Sequence, residues 1–263
     1  MKGLIRTPKV QMAITLLLIF ATAFFHVPSN RLILNLFLAV CSAVLADILF
    51  IKIRKTPSFF LSAAFVSGTI IGLLSGPNLP WYEPVLAAVL AMLAKNFIRL
   101  DNRHIFNPAG FGLLATSALF QHNVSWWAVS FQKLTNLSLD LFVASIILLS
   151  PAIISVVRLR RFRITILFLI VYTISTSFVL LMHQNLPFSQ LLSITAFDPT
   201  VLFFSLVMLP EPMTTPHKHV YQIFFGATVA LISTIISLPQ FSGISDPLIA
   251  SLLFCNLIFI KKR

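Results

Sequence analysis

The chain has 263 residues, of which 58% are hydrophobic and only 10% are charged, and its mean hydropathy is +0.95. About a quarter of the residues in a typical soluble domain are charged, so this composition excludes a soluble globular protein and predicts a polytopic membrane protein. The net charge of +12 makes nucleic-acid binding a candidate function. The distribution of the charges along the chain tests this candidate.

Ten apolar segments follow one another along the chain, and each is interpreted as a membrane helix. Crossing a bilayer takes about 20 residues, so the fifth and eighth segments, which are short, are expected to be broken or half-buried helices. Basic residues precede the first segment, but no small-x-small cleavage site follows it, so it is interpreted as a helix and not as a signal peptide. The segments span residues 10–27, 31–51, 58–76, 82–98, 107–121, 139–157, 164–183, 198–210, 220–238 and 246–260.

The basic residues are concentrated in alternate loops. If every segment crosses the membrane, one side holds all the lysines and arginines except Arg31 and Lys133. The positive-inside rule places the basic side, with both termini, in the cytoplasm. Membrane topology and contact with anionic lipids therefore explain the charge, and nucleic acid is not expected as a partner.

The two halves of the chain show a similar pattern, which predicts a single transmembrane domain (1–263) of two inverted five-helix repeats (about 10–121 and 139–260). The Pro-rich, acidic segment 76–84 corresponds to segment 209–216, and Asn107-Pro108 corresponds to Asp246-Pro247. Inverted repeats with interrupted helices place binding sites near the bilayer midplane. The fold class is thus all-α, with about ten transmembrane segments.

Polar residues at the two short segments are the candidate site. The segment Phe106–Gly112 contains two glycines and a proline, a composition that favours irregular backbone. Irregular backbone at membrane depth occurs where it is buried in protein or lines a polar cavity. An alternative for Asn107 is that it only caps a helix with Pro108 at its first position. The candidates for ligand binding are Asn107, Asp198, Thr200, Glu211, Thr214 and Thr215.

Other chemistry finds little support in the sequence. Asp47 is the one acid well inside a long apolar segment, where it either pairs or snorkels to the interface, or serves ion or proton passage. The histidines fall at segment ends, which disfavours haem. Cys41 and Cys255 form no metal-binding spacing, so neither a metal site nor an iron–sulfur cluster is expected. No catalytic constellation can be assembled.

Four motifs together resemble one membrane family. They are Asn107-Pro-Ala in segment five, Phe203-Phe204 followed by Glu211-Pro-Met-Thr214, Phe225-Gly-Ala in segment nine, and Asn256 near the end of the last segment. The chain is similar to the D subunit of Rnf electron-transport complexes and the B subunit of the Na⁺-translocating NADH:quinone oxidoreductase. The resemblance extends over most of the chain.

The resemblance implies a multi-pass subunit in the inner membrane of a prokaryote that holds a flavin and passes electrons, coupled to cation movement. Members attach FMN to a threonine in a (Ser/Thr)-Gly-Ala-Thr motif on an outward loop, and residues 121–140 lack that motif. Phe225-Gly-Ala-Thr228 has the wrong first residue and lies inside segment nine. We therefore expect flavin (FMN or riboflavin) or quinone to bind non-covalently.

Two functions follow as hypotheses. The first is an oxidoreductase subunit, not a self-sufficient enzyme, that receives electrons from a flavoreductase or iron–sulfur partner on the cytoplasmic side. The second is a urea-transporter-like channel or transporter for a small solute, without a redox role, which the inverted plan and the missing attachment motif favour.

Overall fold

The computed structural model describes residues 8–26, 28–55, 62–130, 139–183 and 186–262. Residues 58–61 of the third predicted segment and residues 131–138 of the outward loop lie outside these ranges. The described chain is mostly helical with one two-stranded hairpin, which confirms the all-α class. It divides into two compact units, unit 1 (Met1–Val129) and unit 2 (Ser130–Arg263), and each is described by itself.

The described part of unit 1 contains five longer helices, a short hairpin and a one-turn helix at its end. Helix α2 packs against α3 and α4, α1 packs against α3, and α4 packs against α5. These apolar sequences form helices because, in lipid, every backbone polar group must find its partner within the segment. The elements are α1 (Pro8–His26), α2 (Asn30–Ile53), α3 (Ser62–Leu74), α4 (Tyr82–Phe97), β1 (Arg99–Leu100), β2 (Arg103–His104) and α5 (Pro108–Phe120), followed by the one-turn helix α6 (Trp127–Ser130).

Glycines let the helices of unit 1 approach closely. A Cβ atom added to Gly68 would lie 2.8 Å from the Cα of Val40, and one added to Gly72 would lie 2.8 Å from the Cα of Leu36. Both contacts join α3 to α2. The small-residue face of the third segment therefore serves packing within the chain, as membrane helices with small residues at every fourth position commonly do.

The basic loop after α4 is a tight hairpin. Arg99 pairs with His104 and Leu100 with Arg103, and the two residues between them, Asp101 and Asn102, have φ values of 48° and 62°. Two consecutive left-handed residues are the mark of a type I′ turn, which matches the twist of the flanking strands.

Unit 2 contains the remaining helices. Helix α8 packs against α11, α11 packs against α12, and α7 contacts a π-helix that continues α10. Gly226 of α11 lies against the Ile164 carbonyl of α8, where an added Cβ would be 2.5 Å from the oxygen. The elements are α7 (Leu139–Arg158), α8 (Phe162–His183), α9 (Phe188–Ile194), α10 (Pro199–Phe203), the π-helix (Phe204–Met208), α11 (His219–Ile236) and α12 (Pro247–Ile258), with 3₁₀ turns at Pro239–Phe241 and Ile260–Lys262.

A helix occupies each of the ten apolar segments, but few of the helices have the length of a membrane span. Among the described residues, three helices are long and apolar enough to cross a bilayer, and a fourth span results if α9 and the α10–π-helix pair count as one. That pair is bent by 44°, as a broken span or a re-entrant loop would be. Helices α5 and α12, of 13 and 12 residues, would each cover about 20 Å of a hydrocarbon core about 30 Å thick. The count of ten spans, the inverted repeat and the cytoplasmic termini remain predictions.

Candidate functional site

Five of the six predicted site residues lie along one stretch of unit 2. Helix α10 begins at Asp198-Pro199, and the side-chain Oδ1 of Asp198 accepts a hydrogen bond of 2.7 Å from the backbone N–H of Thr200. The acid is therefore a helix cap with proline at the first position, as the dipeptide predicts. Every residue from Pro199 to Met208 is buried.

Thr200 has a hydroxyl group that the rest of the described chain does not use. The residue is 9% exposed, and its Oγ1 has no hydrogen-bond partner within the part of the chain that the structure describes. A buried polar group without a partner costs about 1–3 kcal/mol, so such groups usually have a partner outside the protein or a functional reason.

Helix α10 continues into a π-helix, which the sequence did not predict. In Phe204–Met208 the turn is wider, since the carbonyl of Phe204 accepts a hydrogen bond of 2.9 Å from the N–H of Leu209, five residues on. The carbonyl of Ser205 also accepts a hydrogen bond of 2.8 Å from the hydroxyl of Thr165 in α8. Insertions of this kind are rare and are often found at functional sites. No residue type in this stretch signals the change.

The turn after the π-helix holds Glu211, Thr214 and Thr215. The backbone oxygen of Glu211 accepts hydrogen bonds from Oγ1 of Thr215 at 2.7 Å and of Thr214 at 3.4 Å. The Thr214 hydroxyl also lies 3.3 Å from the Glu211 carboxylate. Both threonines are fully buried. Their hydroxyl groups therefore fix the turn itself.

Arg161 is the residue of this site that sequence reasoning missed. Only 2% of it is exposed, and its guanidinium donates to the carbonyls of Pro212, at 3.4 Å, and Pro216 and lies 2.9 Å from Nδ1 of His217. A planar fork of donors suits a cluster of carbonyl oxygens. In the sequence it is one of four arginines in a basic loop, and nothing distinguishes it from Arg160.

Asn107, the sixth predicted residue, lies in unit 1 and caps α5. Its Oδ1 accepts a hydrogen bond of 2.9 Å from the N–H of Gly110, and Pro108 occupies the first helical position. This geometry is the one expected if Asn107 caps the helix, which was the alternative to ligand binding. Helix α12 begins in the same way, since Oδ1 of Asp246 accepts a hydrogen bond of 2.7 Å from the N–H of Ile249 ahead of Pro247.

Asp47 pairs inside unit 1, as one of its alternatives predicted. Its Oδ2 lies 2.7 Å from Nζ of Lys95, and its Oδ1 accepts a hydrogen bond of 2.8 Å from the Asn96 side chain. The carboxylate, which belongs to a residue 1% exposed, is thus both paired and hydrogen-bonded. The partners come from α4 and not from the neighbouring Lys52.

The Gly-Ala-Thr sequence at 226–228 is part of a packed helix. Gly226 contacts α8 through the Ile164 carbonyl, and Thr228 lies in the middle of α11. This position agrees with the view that the tripeptide serves helix packing. The outward loop in which an attachment motif is expected includes residues 131–138, which lie outside the described ranges.

Apolar helices, buried polar caps and a bent helix pair define the chain as an all-α, multi-pass membrane protein. The chain belongs to the NQR2, RnfD, RnfE family, whose model matches residues 6–260. This membership confirms the resemblance found in the sequence and makes the protein a membrane subunit of an electron-transport complex that contains other redox subunits. No curated protein matches the sequence significantly.

Proposed function

We propose that this chain binds a flavin (FMN or riboflavin) or a quinone non-covalently beside α10. It would pass electrons from a flavoreductase or iron–sulfur partner on the cytoplasmic side, coupled to cation transport, in the inner membrane of a prokaryote. The observation that carries the proposal is the buried Thr200 hydroxyl, which has no partner among the described residues. Family membership supports the redox setting.

The chemistry of Thr200 fits such a ligand. Flavins and quinones carry carbonyl oxygens, and a threonine hydroxyl can donate one hydrogen bond to them. A flavin or quinone, when bound, supplies the ability to accept and release electrons, and the protein supplies position and electrostatics. The neighbouring Asp198 cap and the π-helix hold the backbone of Thr200 in place.

The other candidate residues play supporting roles in this proposal. The turn that follows the π-helix is shaped by Glu211, Thr214 and Thr215. Arg161 holds this turn by donating hydrogen bonds to backbone carbonyls of the turn. The hydroxyl of Thr215 is committed to the Glu211 carbonyl, so Thr200 is the better donor to a ligand. Asn107 lies in unit 1, where it caps α5, and it stays a separate ligand-binding candidate of that unit.

The basic surface of the cytoplasmic loops is the proposed docking site of the electron donor. In the predicted topology of ten spans and two inverted repeats, hairpin β1–β2 with Arg99 and Arg103 faces the cytoplasm. Positive charge attracts acidic partner proteins and raises the rate of encounter.

A visible spectrum of the purified protein tests the proposal. We expect a yellow protein whose colour is released when the protein is precipitated with acid. Colour that stays in the pellet would show covalent attachment. A colourless protein that conducts a small solute in liposomes would contradict electron transfer and support the urea-transporter-like alternative.

Substitution of Thr200 sharpens the test. Thr200→Val should weaken flavin affinity about tenfold, because one hydrogen bond is lost, and should raise the stability of the ligand-free protein by about 1 kcal/mol, because an unpaired buried hydroxyl disappears. Thr176→Val is the control, since that hydroxyl lies 3.1 Å from the Thr234 hydroxyl. The control should keep flavin affinity and lose stability. Equal effects of the two substitutions on both properties would refute the role of Thr200.

A further inference from the structure

Two arginines lie close together at the end of unit 1 where α2 and α4 finish. Arg54 follows the last residue of α2, and its Nη1 donates a hydrogen bond of 3.3 Å to Oδ1 of Asn96. Arg99 begins β1 just after α4, and its Nη1 donates a hydrogen bond of 3.0 Å to the carbonyl of Lys95. The two guanidinium groups are therefore attached to adjacent residues of one helix.

The charges of the two arginines are not balanced by the described part of the chain. Burial, and after it the positive charge of Arg54, lowers the pKa of the Arg99 guanidinium. Among the described residues, neither arginine forms an ion pair with a carboxylate. Asp47 shares the Asn96 side chain with Arg54, but its carboxylate is already paired with Lys95 at 2.7 Å. Two neighbouring positive charges therefore repel each other, and a bound anion would relieve this repulsion.

Both guanidinium groups keep hydrogen-bond donors for such an anion. A guanidinium has five N–H donors. Within the described chain, Arg54 uses one of them, and Arg99 uses two, toward the carbonyls of Lys95 and Asn102. Nε of Arg99 is buried, so the remaining donors of this residue are on its terminal nitrogens. Planar forks of donors are suited to the oxygens of a phosphate group.

Apolar side chains lie directly beside the two arginines. Phe50 precedes Arg54 by one helical turn, and its ring meets that of Phe97 at a centroid distance of 5.3 Å. Ile53 is 59% exposed and Phe97 is 48% exposed. Exposed apolar surface next to positive charge suits a molecule that has both acyl chains and an anionic head. Basic groups between membrane helices are typical binding sites of lipid head groups.

We propose that Arg54 and Arg99 bind the phosphate group of one anionic phospholipid. The guanidinium groups donate hydrogen bonds to the phosphate oxygens, and the acyl chains lie along Ile53 and Phe97. A phosphatidylcholine head also carries a quaternary ammonium group, which the positive cluster repels, so the site prefers a lipid with net negative charge. The proposal goes beyond the proposed electron transfer and does not depend on it.

Thermal unfolding of the delipidated full chain in mild detergent is the experiment. Phosphatidylglycerol should raise the unfolding temperature more than phosphatidylcholine with the same acyl chains, because a ligand stabilises the state that binds it. Inorganic phosphate and glycerol phosphate, at matched ionic strength, supply the anion without the chains and should bind at least about tenfold more weakly. The samples contain no flavin or electron donor, so a failure here leaves the proposed function standing.

Variants identify the two ligands. Arg54→Gln and Arg99→Gln should each weaken the apparent affinity for phosphatidylglycerol about tenfold, the effect of one lost charge-assisted contact. Arg31→Gln is the matched control, because Arg31 is exposed, carries the same charge and is the second residue of α2, at the opposite end of that helix. It should keep the affinity of the wild type. Arg54→Lys should recover part of the affinity, since it keeps the charge and loses the fork of donors.

Two results would overturn the proposal. One is a wild-type protein that phosphatidylcholine or inorganic phosphate stabilises as much as phosphatidylglycerol does, since the site would then not select an anionic lipid. The other is a loss of affinity in Arg54→Gln and Arg99→Gln no larger than in Arg31→Gln. The two arginines would then only balance the helix C-termini, where positive charge is favourable. Arg54 lies outside the hairpin, so Arg54→Gln keeps the test decisive even if Arg99→Gln does not fold.

Discussion

The two Pro-rich segments that the sequence pairs, 76–84 in unit 1 and 209–216 in unit 2, are held by different chemistry. The acid of the first, Glu83, pairs with His122 at the edge of a small cavity. In the second, the backbone oxygen of Glu211 accepts a threonine hydroxyl, and the turn is fixed by the buried guanidinium of Arg161.

The difference lies in the kind of group that accepts the contact. In unit 1 two side chains meet, Glu83 and His122. In unit 2 the guanidinium of Arg161 donates to backbone carbonyls, those of Pro212 and Pro216. Loss of the Arg161 side chain would therefore leave backbone acceptors without a donor, whereas loss of His122 would leave a side chain without its partner.

Removal of the buried guanidinium should give the largest effect. Arg161→Met leaves the carbonyls of Pro212 and Pro216 without a donor, and we expect unfolding to become easier by about 3 kcal/mol, since each buried acceptor left unsatisfied costs about 1–3 kcal/mol. Thermal unfolding in mild detergent measures the loss.

The neighbouring arginine supplies the control for this prediction. Arg160 is exposed, so Arg160→Met should change stability by less than about 0.5 kcal/mol. If Arg161→Met were no more harmful than Arg160→Met, the turn of unit 2 would not depend on the guanidinium, and the contrast between the two units would disappear.

Close helix packing gives the second comparison of the units. Gly112 of α5 faces the Ala87 carbonyl of α4 so closely that an added Cβ would overlap the oxygen, while the space at Gly226 is slightly wider. We expect Gly112→Ala to destabilise by about 2–3 kcal/mol and Gly226→Ala by about 1–2 kcal/mol, because overpacking a tight contact costs about 1–3 kcal/mol. Thermal unfolding measures both.

Gly243 provides the reference for these substitutions, since an added Cβ there meets no atom within 4 Å. Gly243→Ala should leave stability unchanged or improve it slightly, because alanine restricts the unfolded chain. A Gly112→Ala variant as stable as Gly243→Ala would mean that α4 and α5 are not in contact as described.

Much of this architecture follows from the sequence because the signals are local. The length of the apolar segments predicts the helices, and three dipeptides predict where helices begin: Asn107-Pro108, Asp198-Pro199 and Asp246-Pro247. In each of them the side-chain oxygen of the first residue caps the helix. A cap depends on atoms two or three residues away, so its signal lies within a few letters of the sequence.

What the sequence did not predict depends on distant partners. His122 lies 39 residues from Glu83, and Arg161 lies 51 residues from Pro212. Neither pairing can therefore be predicted from the residues that are adjacent in sequence. The π-helix and the separate helix α9 were missed for a related reason, since tertiary packing and not residue type decides between helical forms. The candidate residues Thr214 and Thr215 were recognised as polar, but their use within the turn could not be foreseen.

The helix caps of the two units should give the smallest effects. Asn107→Ala and Asp246→Ala each remove the acceptor of one backbone N–H, at Gly110 and at Ile249, and should each cost about 1 kcal/mol of stability in thermal unfolding. The exchanges Asn107→Asp and Asp246→Asn keep an acceptor in place and should cost only a few tenths of a kcal/mol, since both side chains cap well.

The exchange at Asn107 also separates capping from ligand binding. An aspartate keeps the cap, because a negative charge at a helix N-terminus is favourable, but it loses the amide N–H donors of asparagine. If Asn107 binds a ligand within unit 1 as well as capping the helix, Asn107→Asp should lower flavin affinity while stability stays close to that of the wild type. If flavin affinity follows stability in both Asn107→Asp and Asn107→Ala, Asn107 is a cap alone, like its predicted counterpart Asp246.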